Sequence, residues 1–392
     1  MRIESNIKKF YIYRIFSSFT FFLPVYYLFL LEKGLNLTEV LIVQAVFSMT
    51  IVLSQVPSGA FADIVGKKYA LALSNFLYLI SLILITFAQS FWTLVFTEIL
   101  WGIATALWLS SGSSFIFDTL KNLKKEKQFK KIDGTAYAIT LSLWGICSLA
   151  GGYIGAFYGL SWTLYLSLPT IFISMFIPLL FKEPNVKEKR TLSQYFGQIK
   201  DSIKFASTHK MLRLYLLYSS IVVGVLMISF PVSQPYLVEK GLPIQLLGWF
   251  FLIGSGIGAI GAKLAHKIEP LIGYKRSLYY VMVIPLVFFF VLFITKNLIL
   301  SIISLWIVSI VEPFSFPIIN NYVNTHSVPN ERATLLSLRH FGQNLVFALS
   351  APLLGLFGDH FGTISHIYLG ISIIFIPITI IFFLVLRKKA LR

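Results

Sequence analysis

Charged residues are scarce in this chain of 392 residues: Asp, Glu, Lys and Arg make up 12%, where a soluble domain usually carries about 25%. Only 16 residues are acidic, and Cys147 is the single cysteine. One cysteine excludes an internal disulfide framework and leaves the redox compartment unmarked. No Gly-x-x-x-x-Gly-Lys-Ser/Thr run occurs, so ATP hydrolysis by this chain has no phosphate cradle. Metal-ligand clusters, a nucleophile elbow and paired catalytic carboxylates are likewise missing. An enzyme therefore finds no support, and neither a cofactor nor a metal is expected. Gly256-Ile-Gly258-Ala-Ile-Gly261 matches a dinucleotide fingerprint in spelling alone. No strand precedes it, and Gly254 and Gly258 stand at the spacing of close helix packing.

What is present is apolar. Hydrophobic residues make up 57% of the chain, the mean hydropathy is +0.80, and the apolar material lies in runs of about 20 residues, enough for a helix to cross a bilayer. Twelve such spans can be drawn: 10–31, 38–60, 69–88, 92–116, 135–157, 162–181, 213–237, 246–266, 277–295, 298–320, 334–357 and 364–386. Backbone facing lipid must bond to itself, so these spans are helices, and the alternating ten-residue pattern of a barrel is absent. The formal charge of +17 invites a nucleic-acid reading, but its location argues otherwise. With the N-terminus inside, 29 of the 33 basic residues fall in the inner segments. Lys33, Lys240 and Lys296 fall outside, and Arg14 lies within the first span. That asymmetry is the positive-inside pattern, with both termini cytoplasmic and no nucleic-acid partner expected. No small-residue cleavage site follows the first span, which reads as a retained helix rather than a signal peptide. Asn36-Leu37-Thr38 spells a glycosylation sequon, by chance, in a very short loop.

The longest polar stretch, 182–212, divides the chain into an N-terminal six-helix half (1–181) and a C-terminal one (213–392). Within it Leu192, Phe196, Ile199, Ile203 and Ala206 recur at helical spacing, which predicts an amphipathic helix on the cytoplasmic surface. One word is spelled twice: PVYYLFLLEKGL at 24–35 and PVSQPYLVEKGL at 231–242, with seven of twelve positions identical. The offset of 207 also carries Gly66 onto Gly273 and Lys68 onto Lys275. Six helices followed by six in the same orientation form a parallel repeat, a transporter architecture with its site at the repeat interface.

Residues 59–68 read GAFADIVGKK, between spans 2 and 3 on the basic side. This resembles the signature loop of the major facilitator superfamily, with Gly59, Asp63, Gly66, Lys67 and Lys68 filling its positions. With twelve spans in two halves, the resemblance covers essentially the whole chain. It implies an all-α integral membrane protein with two parallel six-helix halves around a central cavity. It also implies a cytoplasmic gate at this loop, a small-molecule substrate and protons as partners, and a monomer in the cell (inner) membrane. Independently of the family, Gly59 permits close helix approach and Gly66 a tight turn. Asp63 lies where a helix N-terminus, such as that of span 11, would present positive charge. In the second half, Pro270 stands where Asp63 would recur. Proton-exchanging exporters of the superfamily often carry Gly-Pro-x-x-Gly-Gly in helix 5; here Cys147-Ser148-Leu149-Ala150-Gly151-Gly152 keeps only the final glycine pair. VPNERATLLS (328–337) resembles the loop before helix 11 of bacterial drug-exporter-like members.

Ionisable groups inside spans are costly and mark ion paths, cavities or partners. Glu98 lies about 10 Å into span 4 and Glu312 about 20 Å into span 10, taken at 1.5 Å per residue. Pro313 and Pro317 follow Glu312. Either carboxyl group is a candidate to load and release the coupling proton as access alternates. Arg14 and Asp118, near the inner ends of their spans, are expected in a gate or interhelix pair. Arg339, His340, Gln343 and Asn344 fall on adjacent faces of span 11 and are expected in the cavity. Trp101, Trp108, Trp249 and Trp306 would give it an aromatic wall, the basis for expecting a lipophilic substrate. The leading expectation is proton-coupled efflux by rocking of two halves. A proton-coupled importer and a non-transporting receptor or assembly partner are the alternatives.

Overall fold

In an apolar medium a chain has few ways to satisfy its own amides, and this one uses helices almost throughout. The computed structural model describes residues 3–184, 197, 200, 207–325 and 332–388. The amphipathic helix expected in 182–212, and residues 328–331 of VPNERATLLS, lie outside the described residues. Among those described there is no strand.

The helices are α1 (Ser5–Ser17), α2 (Tyr26–Glu32), α3 (Leu37–Val65), α4 (Lys67–Phe87), α5 (Phe91–Asn122), α6 (Phe129–Tyr158) and α7 (Leu160–Phe176). After the polar stretch come α8 (Lys210–Leu226), α9 (Ser229–Glu239), α10 (Leu247–Ile272), α11 (Tyr274–Ile294), α12 (Leu298–Thr325), α13 (Arg332–Phe361) and α14 (Ser365–Lys388). Eleven helical stretches are long and apolar enough to cross a membrane. The first span, expected as one helix over 10–31, is instead α1 and α2 joined through a 3-10 turn at Leu23–Val25.

The doubled word explains that break and its twin. Pro24 and Pro231 are equivalent positions, and each follows an interruption: Ser18–Phe22 after α1, and Met227–Ile228 after α8. Proline has no amide proton, and its ring clashes with the carbonyl four residues back, so a helix running into it is interrupted. At the other end of the word the same geometry again appears twice. Gly34 and Gly241 take positive φ of 90° and 93°. Leu35 N bonds to Leu30 O at 3.4 Å, and Leu242 N to Leu237 O at 2.9 Å. This six-to-one bond is the signature of a Schellman stop, which glycine permits at no steric cost. The shared Glu-Lys-Gly-Leu is thus a helix terminator written twice.

The chain forms two compact units. One comprises Met1–Phe29, Val46–Gly197 and Ile244–Gly248; the other comprises Leu30–Ala45, Gln198–Pro243 and Trp249–Arg392. In the first, α4 lies against α5 and α7, and α6 against α1. Phe10, Tyr13, Leu71, Phe115, Ile116 and Phe181 form its buried cluster. In the second, α13 lies along α8, and α11 packs with both α12 and α14. Small residues set the approach of α10 to α12. A Cβ on Gly261 would stand 2.6 Å from Ile310 Cγ2, and one on Gly258 3.3 Å from Pro313 Cγ. The glycine run therefore packs helices.

Each unit also takes in a short segment from beyond its main stretch of sequence, at equivalent places in the repeat. In the first unit, Gln245 and Gly248 meet α6, and a Cβ on Gly248 would fall 2.2 Å from Ser148 O. In the second, the start of α3 meets the end of α13. Asp359 accepts from Leu37 N (3.1 Å), Thr38 N (2.9 Å) and Thr38 Oγ1 (2.5 Å). Asn36 caps the same helix: its Oδ1 accepts from Glu39 N at 2.8 Å, while Glu39 Oε2 accepts from Asn36 N at 3.0 Å. The sequon is thus a reciprocal capping box.

Gly151 is the tightest of these contacts, because an added Cβ would lie 1.8 Å from the carbonyl oxygen of Phe21. Gly134, in the same helix, has nothing within 4 Å. Gly151→Ala is expected to destabilise the protein by about 1–3 kcal/mol through overpacking, whereas Gly134→Ala should be neutral or stabilising by up to about 1 kcal/mol. Thermal unfolding of the two variants in one detergent measures the difference.

Candidate functional site

The second unit holds a small recess, formed where α8, α12 and α13 meet and lined by polar groups together with Val223, Phe316 and Ile319. Glu312 and Ser315 enter from α12, Ser219 from α8, and Arg339, His340 and Gln343 from α13. Glu312 is exposed there. The helix that carries it is loosened by Pro313 and Pro317, which remove the amides that would otherwise reach the carbonyls of Ser309 and Pro313. Arg339 is only 1% exposed. Its Nη1 donates to Asn320 Oδ1 at 2.5 Å, and its guanidinium lies 4.8 Å from the centre of the Phe316 ring. Gln343 Nε2 donates to Ser219 Oγ at 3.0 Å. His340 is exposed and lines the same recess. Asn344 turns back along its own helix, donating to His340 O at 2.8 Å. Four candidates named from the sequence, Glu312, Arg339, His340 and Gln343, therefore line one recess. Ser219 and Asn320 join them without having been singled out.

The first unit treats its carboxylate differently. Glu98, on α5, is 0% exposed and accepts a hydrogen bond from the Tyr26 hydroxyl. Trp101, one turn further on, is enclosed by four rings: Phe47 at 5.2 Å, Tyr78 at 5.4 Å, and Phe22 and Tyr26 at 5.6 Å each. Glu98 and Trp101 thus sit at one aromatic knot rather than at an open surface. Tyr26 is the residue that sequence reasoning missed. Its signal lies inside the doubled word, where the first copy has Tyr26 and the second Ser233.

Trp108 lies 4.9 Å from the Arg14 guanidinium. Trp306 donates to Phe250 O at 3.0 Å and stacks on that ring. Trp249 is 43% exposed.

The Gly59–Lys68 loop closes around two acidic residues. Gly66 takes a φ of 114° and begins α4, and Gly273 at 84° does the same for α11. Glu183, just after span 6, accepts from the amides of Lys67 (2.7 Å) and Lys68 (3.0 Å). Its carboxyl carbon would lie 3.1 Å from a Cβ on Gly66, a tight approach beside a φ that itself favours glycine. Lys67 Nζ pairs with Asp118, on α5. Lys68 Nζ stands 4.7 Å from the Tyr69 ring. Gly59 and Asp63 lie in the last turns of α3. Arg14, 7% exposed, rests on Trp108, and Asp118 takes Lys67 as its partner. Glu183 had looked like part of a linker; its Lys-Glu-Pro context offered no motif to mark it.

Comparison with known proteins agrees with this architecture. The model of the Major Facilitator Superfamily matches residues 11–345. The uncharacterized MFS-type transporter YxaM of Bacillus subtilis (strain 168) is 24% identical over 378 residues, spanning 94% of this chain and 92% of that protein. Among solved structures, the nucleoside transporter NupG superposes with a TM-score of 0.80 at 13% identity, covering 99% of this chain and all of that one. The D-xylose-proton symporter gives 0.71 at 11% identity, with 97% of each chain covered. These two likenesses establish the fold alone. With the family model spanning most of its length, the chain belongs to the major facilitator superfamily of membrane transporters.

Proposed function

We propose that this protein is a proton-coupled secondary transporter of a small polar solute, with Glu312 as the group that carries the proton. The observation that carries the reading is the contrast between the two intramembrane carboxylates. A coupling group must exchange protons with water, and a carboxyl group exposed in a polar recess can do so. Glu312 meets that condition, while Glu98 is sealed behind Tyr26 and its neighbouring rings. The same recess favours coupled uptake over export of a lipophilic compound, since hydroxyl, amide and charged groups stand in it beside Val223, Phe316 and Ile319. The reduced Gly151-Gly152 remnant in helix 5 points the same way. Among structural relatives, one is described as a proton symporter for D-xylose and another as a nucleoside transporter; both cargoes are polar.

In this reading the basic loops face the cytoplasm. The Gly59–Lys68 loop is then part of the inner gate, its turn ordered by Glu183 on the α4 N-terminus and by the Lys67–Asp118 pair. Access alternates as the two six-helix halves rock about a site near mid-membrane.

The test is uptake into overexpressing cells of labelled pentoses, nucleosides and small carboxylates, with cationic dyes as the export arm, each with and without a protonophore. Protonophore-sensitive accumulation of a polar solute is expected. In proteoliposomes Glu312→Gln should lower pH-driven flux at least roughly tenfold, within the usual range of a coupling free energy, and Glu98→Gln should retain it. Undiminished pH-driven flux in both variants would refute proton coupling through either residue. Protonophore-sensitive dye extrusion without uptake would restore the export reading. The gate makes a separate prediction. Glu183→Ala strips two amides at a helix N-terminus of their acceptor and should cost about 1–2 kcal/mol. Glu4→Ala breaks only an exposed contact of 3.8 Å to Lys125 and should cost under about 1 kcal/mol; unfolding temperatures measure both.

A further inference from the structure

Arg339 makes no direct ion pair among the described residues; Glu312, in the same recess, acts on it only through space. Among the described residues no carboxylate lies within 4.0 Å of its guanidinium, which has only a neutral amide oxygen of Asn320 and the face of Phe316 as partners. Its Nε finds no acceptor. A cation buried in this way is held at a cost unless a counter-charge reaches it, and inside a membrane such groups are placed for function. Around the recess it lines, further donors converge. Ser219 accepts from Gln343 and retains its own hydroxyl proton, and Gln343 retains a second amide proton. Guanidinium, hydroxyl and amide donors on one small recess match the oxygen atoms of a carboxylate, and guanidinium recognises such groups through paired hydrogen bonds.

We infer that this recess is a binding site for the anionic group of a water-soluble solute, a carboxylate or a group of like size and charge, held by Arg339 with Ser219 and Gln343. The inference deepens the proposed transport function and rests on it. Glu312 then acquires a definite role. Its ionised carboxylate competes with the incoming anion for the field of Arg339, so neutralising Glu312 by a proton removes the competitor. Anion and proton therefore favour each other's binding, and the favour is reciprocal. That sign makes the pair travel together, as in symport. The titratable groups that line the recess with Glu312 are Arg339 and His340, both from α13. From α8 it is met by Ser219 and Val223, and α10 approaches the same turn through Gly258 against Pro313.

The experiment uses the full chain in nanodiscs of zwitterionic lipid and follows thermal unfolding with acetate, pyruvate, benzoate or inorganic phosphate at pH 5.5 and 8. Acetamide, ribose and uridine serve as neutral controls. At least one anion should raise the unfolding temperature saturably by about 3 °C or more at concentrations well above its dissociation constant, and more at pH 5.5 than at pH 8. Arg339→Gln should abolish the rise, Arg339→Lys should keep part of it, and Ser219→Ala should weaken affinity several-fold, which keeps the site testable if Arg339→Gln does not fold. Glu312→Gln should bind the anion equally at both pH values, and His340→Asn should leave the pH dependence in place. No stabilisation by any anion, or a rise unchanged in Arg339→Gln and Ser219→Ala, overturns the inference. So does stabilisation by phosphatidylglycerol nanodiscs alone, which would assign the recess to a lipid headgroup. An Arg339-dependent rise that ignores pH keeps the anion site and removes the coupling through Glu312. Glu312-dependent flux of a neutral solute with no anion binding does the reverse.

Discussion

The amide groups of a membrane-embedded backbone must find partners within the chain, and the helix breaks and stops described above answer to that constraint. The two breaks after α1 and α8 fall at the doubled word, where Pro24 and Pro231 withhold an amide that the helix would have used. The following stops are closed by Gly34 and Gly241, whose positive φ lets the chain bond back on itself. At the next reversal Gly66 and Gly273 repeat the solution: Ala70 N reaches Gly66 O, and Ser277 N reaches Gly273 O. Where glycine alone does not suffice, a carboxylate arrives from a distant segment, Glu183 on α4 and Asp359 on α3.

That constraint also separates what could be read from one sequence. Spans, repeat and glycine turns were legible because they depend on neighbours within a few residues. The Gly254–Gly258 spacing could be assigned to helix packing on the same ground. Glu183 was not legible, since it meets Lys67 over more than a hundred residues and stands in an unremarkable polar stretch. Tyr26 beside Glu98, and Asn320 beside Arg339, were hidden for the same reason. The division of the first span was missed because apolar residues continue through it. Hydropathy reports the medium around a segment, and only Pro24 marked the break.

The two candidate carboxylates show how the repeated scaffold permits unequal chemistry. Glu98 and Glu312 occupy the fourth helix of their halves, yet one is enclosed by aromatic rings and the other faces a polar recess. Around Glu98 the hydrogen bond from Tyr26 fixes one geometry. Around Glu312 two prolines soften the helix, and Arg339 lines the same recess. Burial alone would have ranked Glu98 first. Exposure in the recess favours Glu312 instead.

One pair of contacts has a broader consequence. The repeat offset carries Gly152 onto Asp359 and Thr38 onto Gln245, so the same joint is made twice. In one copy a glycine lets backbone lie against backbone: a Cβ on Gly152 would stand 3.0 Å from Gln245 O. In the other a carboxylate grips a helix end through three hydrogen bonds. The first joint depends on shape and takes an added atom at Gly152 only if the facing backbone gives way; the second depends on direction and charge, through the oxygens of Asp359. A duplicated ancestor would have had two interchangeable hinges. Their divergence gives evolution, or an engineer, separate handles: side-chain volume adjusts one and hydrogen-bonding capacity the other.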